Sequence, residues 1–329
     1  MLEHGGRLRA AARDFDIPLT DWLDLSTGIA PYGLDLPPVP ADAWRRLPEV
    51  EDELEAVARD YYGASSLLPV AGSQAAIQML PRLRRHSQVG IVSPCYGEHA
   101  EAWREGHRIS EFSEGAVPRT LDQLDVLVAV NPNNPTGRLL PPEQLLDWHA
   151  RLAAHGGWLV VDEAFMDPTP EFSLASHAHL PGLIVLRSFG KFFAMAGARV
   201  GFVLAEVELL RALENALGPW PIAGPSRFVA TALLADRKGQ HQQRARLLED
   251  GERLARLLSC YGLPPTGGCG LFQWVATEEA DLLYEFLACQ GILVRRFRYP
   301  PSLRFGLPPD EPGWVRLARA LAHYREIRA

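Results

Sequence analysis

Short apolar runs separated by polar stretches organise the first two thirds of the chain. Helical patterns such as Gln74–Leu83 and Pro142–His155 separate several of these runs, and each run ends in a cluster of polar or small residues. The five runs are Leu67–Val70, Val89–Val92, Val126–Val130, Trp158–Val161 and Leu183–Leu186. Continuous apolar strands that alternate with helices predict a mostly parallel sheet covered on both faces. Because ligands bind beyond the carboxyl ends of such strands, we expect the polar clusters to form the functional site.

The last third of the chain has a different pattern, in which single strands and longer helices alternate. A helical segment from Pro225 to Ser259, interrupted near Lys238 and Gly239, precedes a Gly-rich turn at residues 267–270. The elements predicted after that turn are a strand over Leu271–Val275, a helix over Glu278–Gln290, a strand over Gly291–Arg295 and a helix over Pro312–Ile327. This pattern predicts a smaller α+β domain.

The amino-terminal region has little periodicity before a helical pattern that ends at Gly63. Residues 1–40 are rich in glycine and proline, and we expect an extended arm that the rest of the protein must hold in place. The predicted fold is of the α/β class. Its segments are the arm over residues 1–40, a large domain with the mostly parallel sheet over 41–238, and a small carboxyl-terminal domain over 239–329.

Composition and charge argue against several classes of protein. The formal net charge of −7 disfavours a protein that coats nucleic acid, which needs a basic face. The first residues carry charges without the apolar core of a signal peptide, and no stretch approaches the roughly 20 apolar residues that span a bilayer. The four cysteines have no metal-binding spacing, so we expect reduced thiols in a cytoplasmic protein. Neither a membrane nor a nucleic-acid partner nor a metal site is predicted.

Two residues at the ends of predicted strands could carry chemistry. Lys191, one of only two lysines, lies among phenylalanines just past a strand, where its amine could form a Schiff base. The alternative is a surface lysine. Asp162 ends a buried strand, where a carboxylate needs a cation or a protonated heterocycle as its partner. The alternative for Asp162 is a helix N-cap, and the spacing to Lys191 does not decide between the two.

Two further clusters are suited to holding a ligand. Gly72, Ser73 and Gln74 open a helix after a strand, and small residues there expose backbone N–H groups that suit a phosphate. Many strand-to-helix turns share this pattern. Asn134 precedes Pro135, Thr136 and Gly137, and the flanking prolines predict a rigid turn that fixes its side-chain amide. A simple turn is the alternative.

Together these residues resemble the fold-type I pyridoxal-phosphate enzymes, the large aminotransferase group. The resemblance covers nearly the whole chain in order: glycine loop, aromatic residue, NPTG, Asp, then S-x-x-K with an arginine eight residues on. It implies that Lys191 bonds covalently to pyridoxal 5'-phosphate and that Asp162 keeps the pyridine nitrogen protonated. It also implies that Asn134 binds the phenolic oxygen and that Tyr96 stacks on the ring. The residues implied to hold the cofactor phosphate are Gly72, Ser73, Gln74, Ser188 and Arg199.

The amino-terminal region narrows the resemblance. His4, Gly5 and Gly6, followed by the segment Asp24-Leu25-Ser26-Thr27-Gly28, resemble the threonine-phosphate decarboxylases of cobalamin biosynthesis. Phe165 and Leu47 stand where many aminotransferases have tyrosine, and Leu47 puts a cofactor contact from a partner subunit in doubt.

The resemblance implies decarboxylation of O-phospho-L-threonine to (R)-1-aminopropan-2-yl phosphate and CO2 by a homodimer. Arg295 and Arg304 match positions that hold substrate anions, which require cationic donors. The other implied substrate-binding residues are His4, Gly5, Gly6 and Gly28. They lie in the amino-terminal arm, which the resemblance implies completes the small domain and covers the substrate site as a lid. Two alternatives stay open: a histidinol-phosphate-type aminotransferase, and a pyridoxal-phosphate-binding partner of cobamide assembly without turnover.

Overall fold

The computed structural model describes residues 5–328, which divide into two compact units. The terminal unit comprises the residues up to Tyr32, Pro135–Arg138 and the residues from Ala245 onward. The central unit comprises Gly33–Asn134 and Leu139–Arg244.

Helices and strands alternate through most of the chain. The α-helices are α1 Leu8–Asp14, α2 Ala41–Arg45, α3 Leu54–Tyr62, α4 Ser73–Met79, α5 Glu98–Arg104, α6 Val117–Thr120, α7 Pro142–Ala153, α8 Phe189–Phe192, α9 Val207–Leu217, α10 Gly224–Ala235, α11 Arg237–Cys260, α12 Ala280–Cys289 and α13 Glu311–Arg328. The strands are β1 Leu23–Leu25, β2 Leu68–Val70, β3 Gln88–Val92, β4 Arg108–Phe112, β5 Val126–Val130, β6 Trp158–Asp162, β7 Leu183–Ser188, β8 Gly201–Leu204, β9 Gly267–Cys269, β10 Phe272–Ala276, β11 Ile292–Phe297 and β12 Ser302–Gly306. Short 3-10 helices occupy Leu19–Asp21, Leu80–Leu83, Glu114–Ala116, Leu121–Gln123, Pro170–Phe172, Ala175–His177 and Ala196–Ala198.

The central unit is built on a seven-stranded sheet in the order β2-β8-β7-β6-β5-β3-β4. All neighbours are parallel except β8, which is antiparallel to both β2 and β7. The five strands predicted from apolar runs are present, and β5 has the predicted bounds. All five residues of β5 are buried, because helices cover a central parallel strand on both faces. The predicted α/β class with a mostly parallel sheet is confirmed.

The terminal unit contains a five-stranded sheet in the order β1-β11-β12-β10-β9. Strand β1 pairs in parallel with β11, so residues near the amino terminus join strands from the last third of the chain. A small core of Ala11, Trp22, Ala288 and Leu293 packs α1 against this unit. The expectation of an extended arm is therefore wrong for Leu8–Asp14, where an alanine-rich stretch forms α1.

Two further details differ from the sequence-based expectation. The long helix predicted over Pro225–Ser259 is interrupted at Asp236 rather than near Lys238, and the Gly239 N–H donates to Asp236 Oδ1 at 2.9 Å. That hydrogen bond satisfies one of the backbone donors that a new helix leaves without an intrahelical acceptor. The predicted Gly-rich turn contains strand β9, which pairs with β10.

Candidate active site

The predicted site residues fall into two groups. All predicted cofactor residues belong to the central unit: Gly72, Ser73, Gln74, Tyr96, Asn134, Asp162, Ser188, Lys191 and Arg199. The predicted substrate residues that the structure describes belong to the terminal unit: Gly5, Gly6, Gly28, Arg295 and Arg304. His4 lies outside the described residues.

The cofactor group follows one edge of the central sheet. Strands β2, β3, β5, β6 and β7 run in the same direction, since β8 is antiparallel to both β2 and β7. Gly72, Tyr96, Asn134 and Lys191 lie shortly after the ends of four of these strands, and Asp162 ends β6. The carboxyl ends of parallel strands meet at one edge, so the topology brings the five positions to the same side of the sheet.

Gly72 and Arg199 form a cradle for an anion. Gly72 has a φ of +74°, and a Cβ atom there would lie 2.8 Å from Nη2 of Arg199. That backbone conformation favours glycine, and the guanidinium of Arg199 occupies the space beside its Cα. Arg199 is itself left-handed, with a φ of +53°, and donates from Nη1 to the Ala196 carbonyl at 3.2 Å. A guanidinium beside the start of α4 fits a phosphate group.

Asp162 is paired with a residue that the sequence reasoning missed. His99 Nε2 donates to Asp162 Oδ2 at 2.9 Å, and both side chains are at most 3% exposed. The Ala164 N–H donates to Asp162 Oδ1 at 3.0 Å. The carboxylate is therefore held from both oxygens, as a buried charge requires. The spacing in the sequence could have indicated His99, because it lies three residues after Tyr96 and residues at that spacing are neighbours when the chain turns.

A buried ion network connects the ends of β6 and β7. Arg187 donates to Glu163 Oε2 and to Asp167 Oδ1, each at 2.7 Å, and all three side chains are at most 2% exposed. Glu163 also accepts from the Ser173 hydroxyl at 2.5 Å and from the Leu174 N–H at 2.7 Å. Because Glu163 follows Asp162 and Arg187 precedes Ser188, the network fixes the two strand ends that carry site residues.

Lys191 and Asn134 lie on short, restrained segments. Helix α8 presents Lys191 directly after β7, and its Nζ lies 5.5 Å from the centroid of the buried Phe165 ring. The segment around Asn134 is clamped by Asn131, which accepts from the Leu140 N–H at 2.7 Å and donates to the Leu140 carbonyl at 3.1 Å. The predicted turn is thus closed by a side chain as well as by prolines.

In the terminal unit, the two amino-terminal motifs meet at Ser26. The Gly6 N–H donates to Ser26 Oγ at 2.8 Å, and the Ser26 hydroxyl donates to Asp24 Oδ1 at 2.6 Å. Arg304 Nη2 donates to the Ser26 carbonyl at 2.8 Å. Gly5 lies so close that a Cβ atom on it would be 2.3 Å from the same carbonyl oxygen.

Arg304 lies in an environment that favours an anionic ligand. It is 4% exposed and pairs across the sheet with Arg295. Burial and then the charge of Arg295 lower the pKa of Arg304 to about 10. Two adjacent guanidinium groups repel each other, and a bound anion would offset that repulsion. A cavity of about 340 Å³ in this unit is lined in part by Gly5, Gly6, Ser26 and Arg295.

Two other kinds of functional feature, a metal site and a membrane-spanning helix, are absent from the described part of the chain. Residues 5–328 contain no group of three or more His, Cys, Asp or Glu side chains arranged to hold a metal ion. No helix among them has the length and apolar character needed to cross a membrane.

Sequence comparison gives full-length relatives. The model of the aminotransferase class I and II family matches residues 43–324. The chain is 60% identical over 327 residues to a threonine-phosphate decarboxylase from Pseudomonas aeruginosa, with 99% of each chain covered. It is 45% identical over 335 residues to a threonine-phosphate decarboxylase from a Sinorhizobium species, with 97% of each chain covered.

Comparison with solved structures gives the same fold. The histidinol-phosphate aminotransferase from Sinorhizobium meliloti, in complex with pyridoxal-5'-phosphate, matches with a TM-score of 0.85 at 20% identity. That match covers 100% of this chain and 96% of the other. The L-threonine-O-3-phosphate decarboxylase from Porphyromonas gingivalis matches with a TM-score of 0.75 at 18% identity and covers 87% of this chain and 92% of the other.

Proposed function

The chain belongs to the aminotransferase class I and II family, and from this premise we propose that it is a pyridoxal-phosphate enzyme that decarboxylates O-phospho-L-threonine. The products are (R)-1-aminopropan-2-yl phosphate and CO2, within cobalamin biosynthesis. The observation that carries the proposal is the 60% identity to a threonine-phosphate decarboxylase over 99% of both chains.

Pyridoxal phosphate supplies a ring that accepts the electrons left at Cα when the bond to the carboxylate carbon breaks. Lys191 would hold the cofactor covalently through its amine until the amine of the substrate takes its place, and the freed lysine, as an ammonium group, would then return a proton to Cα after CO2 has left. Asp162 keeps a proton on the ring nitrogen. Its bonds to His99 and to the Ala164 N–H fix the carboxylate in one orientation, which supports that role.

We propose the other cofactor contacts from the geometry around each residue. The cradle of Gly72 and Arg199 supports phosphate binding, with Ser73, Gln74 and Ser188 as further contacts. The clamp by Asn131 supports a fixed position for the Asn134 amide, which binds the phenolic oxygen. Tyr96 lies against the face of the ring.

We assign the substrate anions to the terminal unit. Arg304 and Arg295 together hold the carboxylate and the phosphate of the substrate. The repulsion between these two cations supports an anionic ligand. Gly5, Gly6 and Gly28 contribute the backbone around the anion, and His4 is proposed from its place in the HGG motif. The bond from the Gly6 N–H to Ser26 supports an arm that docks at this position.

We also propose that the protein is a homodimer in the cytoplasm. Trp44, Leu47 and Trp220 in the central unit are each more than half exposed, and large exposed apolar side chains are typical of surfaces that bind another chain. The four cysteines are free thiols, which supports a reducing compartment. Light scattering coupled to size-exclusion chromatography tests the dimer, and a monomer at micromolar concentration would contradict it.

The activity test separates decarboxylation from its alternatives. Purified protein supplied with pyridoxal phosphate and O-phospho-L-threonine should release CO2 and one equivalent of the amino alcohol phosphate, with no keto acid. The matched control is Lys191→Ala, which should lose both the visible absorption of the bound cofactor and CO2 release. A keto acid together with the pyridoxamine form of the cofactor would indicate an aminotransferase instead. Cofactor binding without any product would indicate the non-catalytic alternative.

A further inference from the structure

A chain of hydrogen bonds connects Tyr96 to helix α4. The Tyr96 hydroxyl donates to Gln74 Oε1 at 3.1 Å, and Gln74 Nε2 donates to Glu98 Oε2 at 2.9 Å. A carboxylate only accepts hydrogen bonds, so Glu98 selects the amide orientation that presents Oε1 to Tyr96. The side-chain amide of Gln74 is therefore engaged within the protein, so that under the proposed function its phosphate contact would come from the backbone N–H.

The Tyr96 hydroxyl is a donor at neutral pH. Burial, and then the charges of Glu98 and Asp162, raise the pKa of Tyr96 to about 12. The ring is also contacted by His99, whose centroid lies 6.1 Å away at an interplanar angle of 85°. The hydroxyl bond and this edge contact restrain the ring from two directions. The χ2 torsion of a tyrosine is otherwise broad.

We propose that Gln74 and Glu98 are positioning residues that set the plane of Tyr96 against the cofactor ring. Gln74 follows Ser73, so one residue connects the segment of the phosphate cradle to the aromatic side chain. Helices α4 and α5 pack against each other, which places this connection between two fixed elements. The inference rests on the proposed function, because it requires pyridoxal phosphate at this site. Under this inference the Gln74 side chain positions Tyr96 and does not itself bind the phosphate.

The test uses variants that remove the hydrogen bonds. Tyr96→Phe keeps the ring and loses the hydroxyl, and Gln74→Leu loses the side-chain amide and keeps the backbone N–H. Each variant should weaken pyridoxal-phosphate binding to the apoprotein about fivefold, the effect of one net hydrogen bond. Each should also reduce the visible circular dichroism of the bound cofactor, which reports the orientation of its ring. Glu98→Ala should act in the same direction, since it releases the Gln74 amide.

The matched control is Gln78→Leu. The exposed Gln78 also donates to Glu98 Oε2, at 3.2 Å, but this hydrogen bond does not involve Tyr96. This variant should leave both the affinity and the circular dichroism unchanged. The double variant Tyr96→Phe with Gln74→Leu should be no weaker than either single variant, because both remove the same bond.

Three outcomes would overturn the inference: unchanged circular dichroism in Tyr96→Phe, multiplicative losses in the double variant, or an equal effect of Gln78→Leu. Failure of the wild-type protein to bind pyridoxal phosphate would instead overturn the proposed function, and with it this inference. Thermal unfolding of each apoprotein identifies a variant that fails to fold. For such a variant, Gln74→Met replaces Gln74→Leu and must give the same two changes for the inference to hold.

Discussion

Replacement of His99 should destabilise the protein far more than replacement of another buried histidine. His99→Leu removes the donor to Asp162 Oδ2 and leaves a carboxylate that is 2% exposed with one oxygen unpaired in the apoprotein. Loss of a hydrogen bond to a buried carboxylate costs roughly 3 kcal/mol, and the remaining Ala164 N–H bond keeps the expected loss from being larger. Urea unfolding of the apoprotein measures it.

His149 provides the matched control for this prediction. It is also buried, at 6% exposure, but its Nε2 contacts the neutral Pro181 carbonyl at 3.0 Å. His149→Leu should therefore cost about 1–2 kcal/mol, since no charge is left unpaired. His99→Leu should in addition lower the rate of decarboxylation, because Asp162 loses its fixed orientation, whereas His149→Leu should not. Equal losses of stability in the two variants would refute the assignment of a hydrogen bond from His99 to a buried carboxylate.

Three other predictions follow from the site. Gly5→Ala places a Cβ atom 2.3 Å from the Ser26 carbonyl oxygen, so it should raise the KM for O-phospho-L-threonine at least several-fold with little change in unfolding temperature. The KM should also rise as the pH passes about 10, because burial and the charge of Arg295 lower the pKa of Arg304 to about that value; a flat profile in that range would show that Arg304 keeps its proton and would contradict the lowered pKa. Burial raises the pKa of Cys95 to about 12 and that of Cys269 to about 11, so intact-mass analysis near neutral pH should show rapid alkylation only at the exposed Cys260 and Cys289.

The inner strands of the central sheet could be predicted because they are buried on both faces. Strand β5 is a continuous apolar run with every residue buried, and its bounds follow from the sequence alone. Edge strand β4 could not be found in the same way. Its residues Arg108–Phe112 are exposed or half-buried, so no apolar run marks it. Strand β9 is made of glycine and cysteine, and only its pairing with β10 makes it a strand.

Some site residues can likewise be predicted from their neighbours in the sequence, whereas others depend on contacts between distant residues. Gly72, Asp162 and Lys191 are recognisable because strand ends and small residues mark them locally. The partner of Asp162 is 63 residues away in the sequence, and only the packing of α5 on the sheet brings His99 to it.

The role of Gln74 follows from its contacts in the structure rather than from its position in the sequence. Its place after Gly72 and Ser73 suggests a phosphate ligand, and its backbone is consistent with that task. Its side chain instead bonds to Tyr96 and Glu98, which lie 22 and 24 residues later. A substitution at Gln74 therefore tests the aromatic contact and leaves the phosphate cradle in place. The comparison of Gln74→Leu with Arg199→Ala separates the two: the first should change the circular dichroism of the bound cofactor, and the second should mainly reduce its affinity.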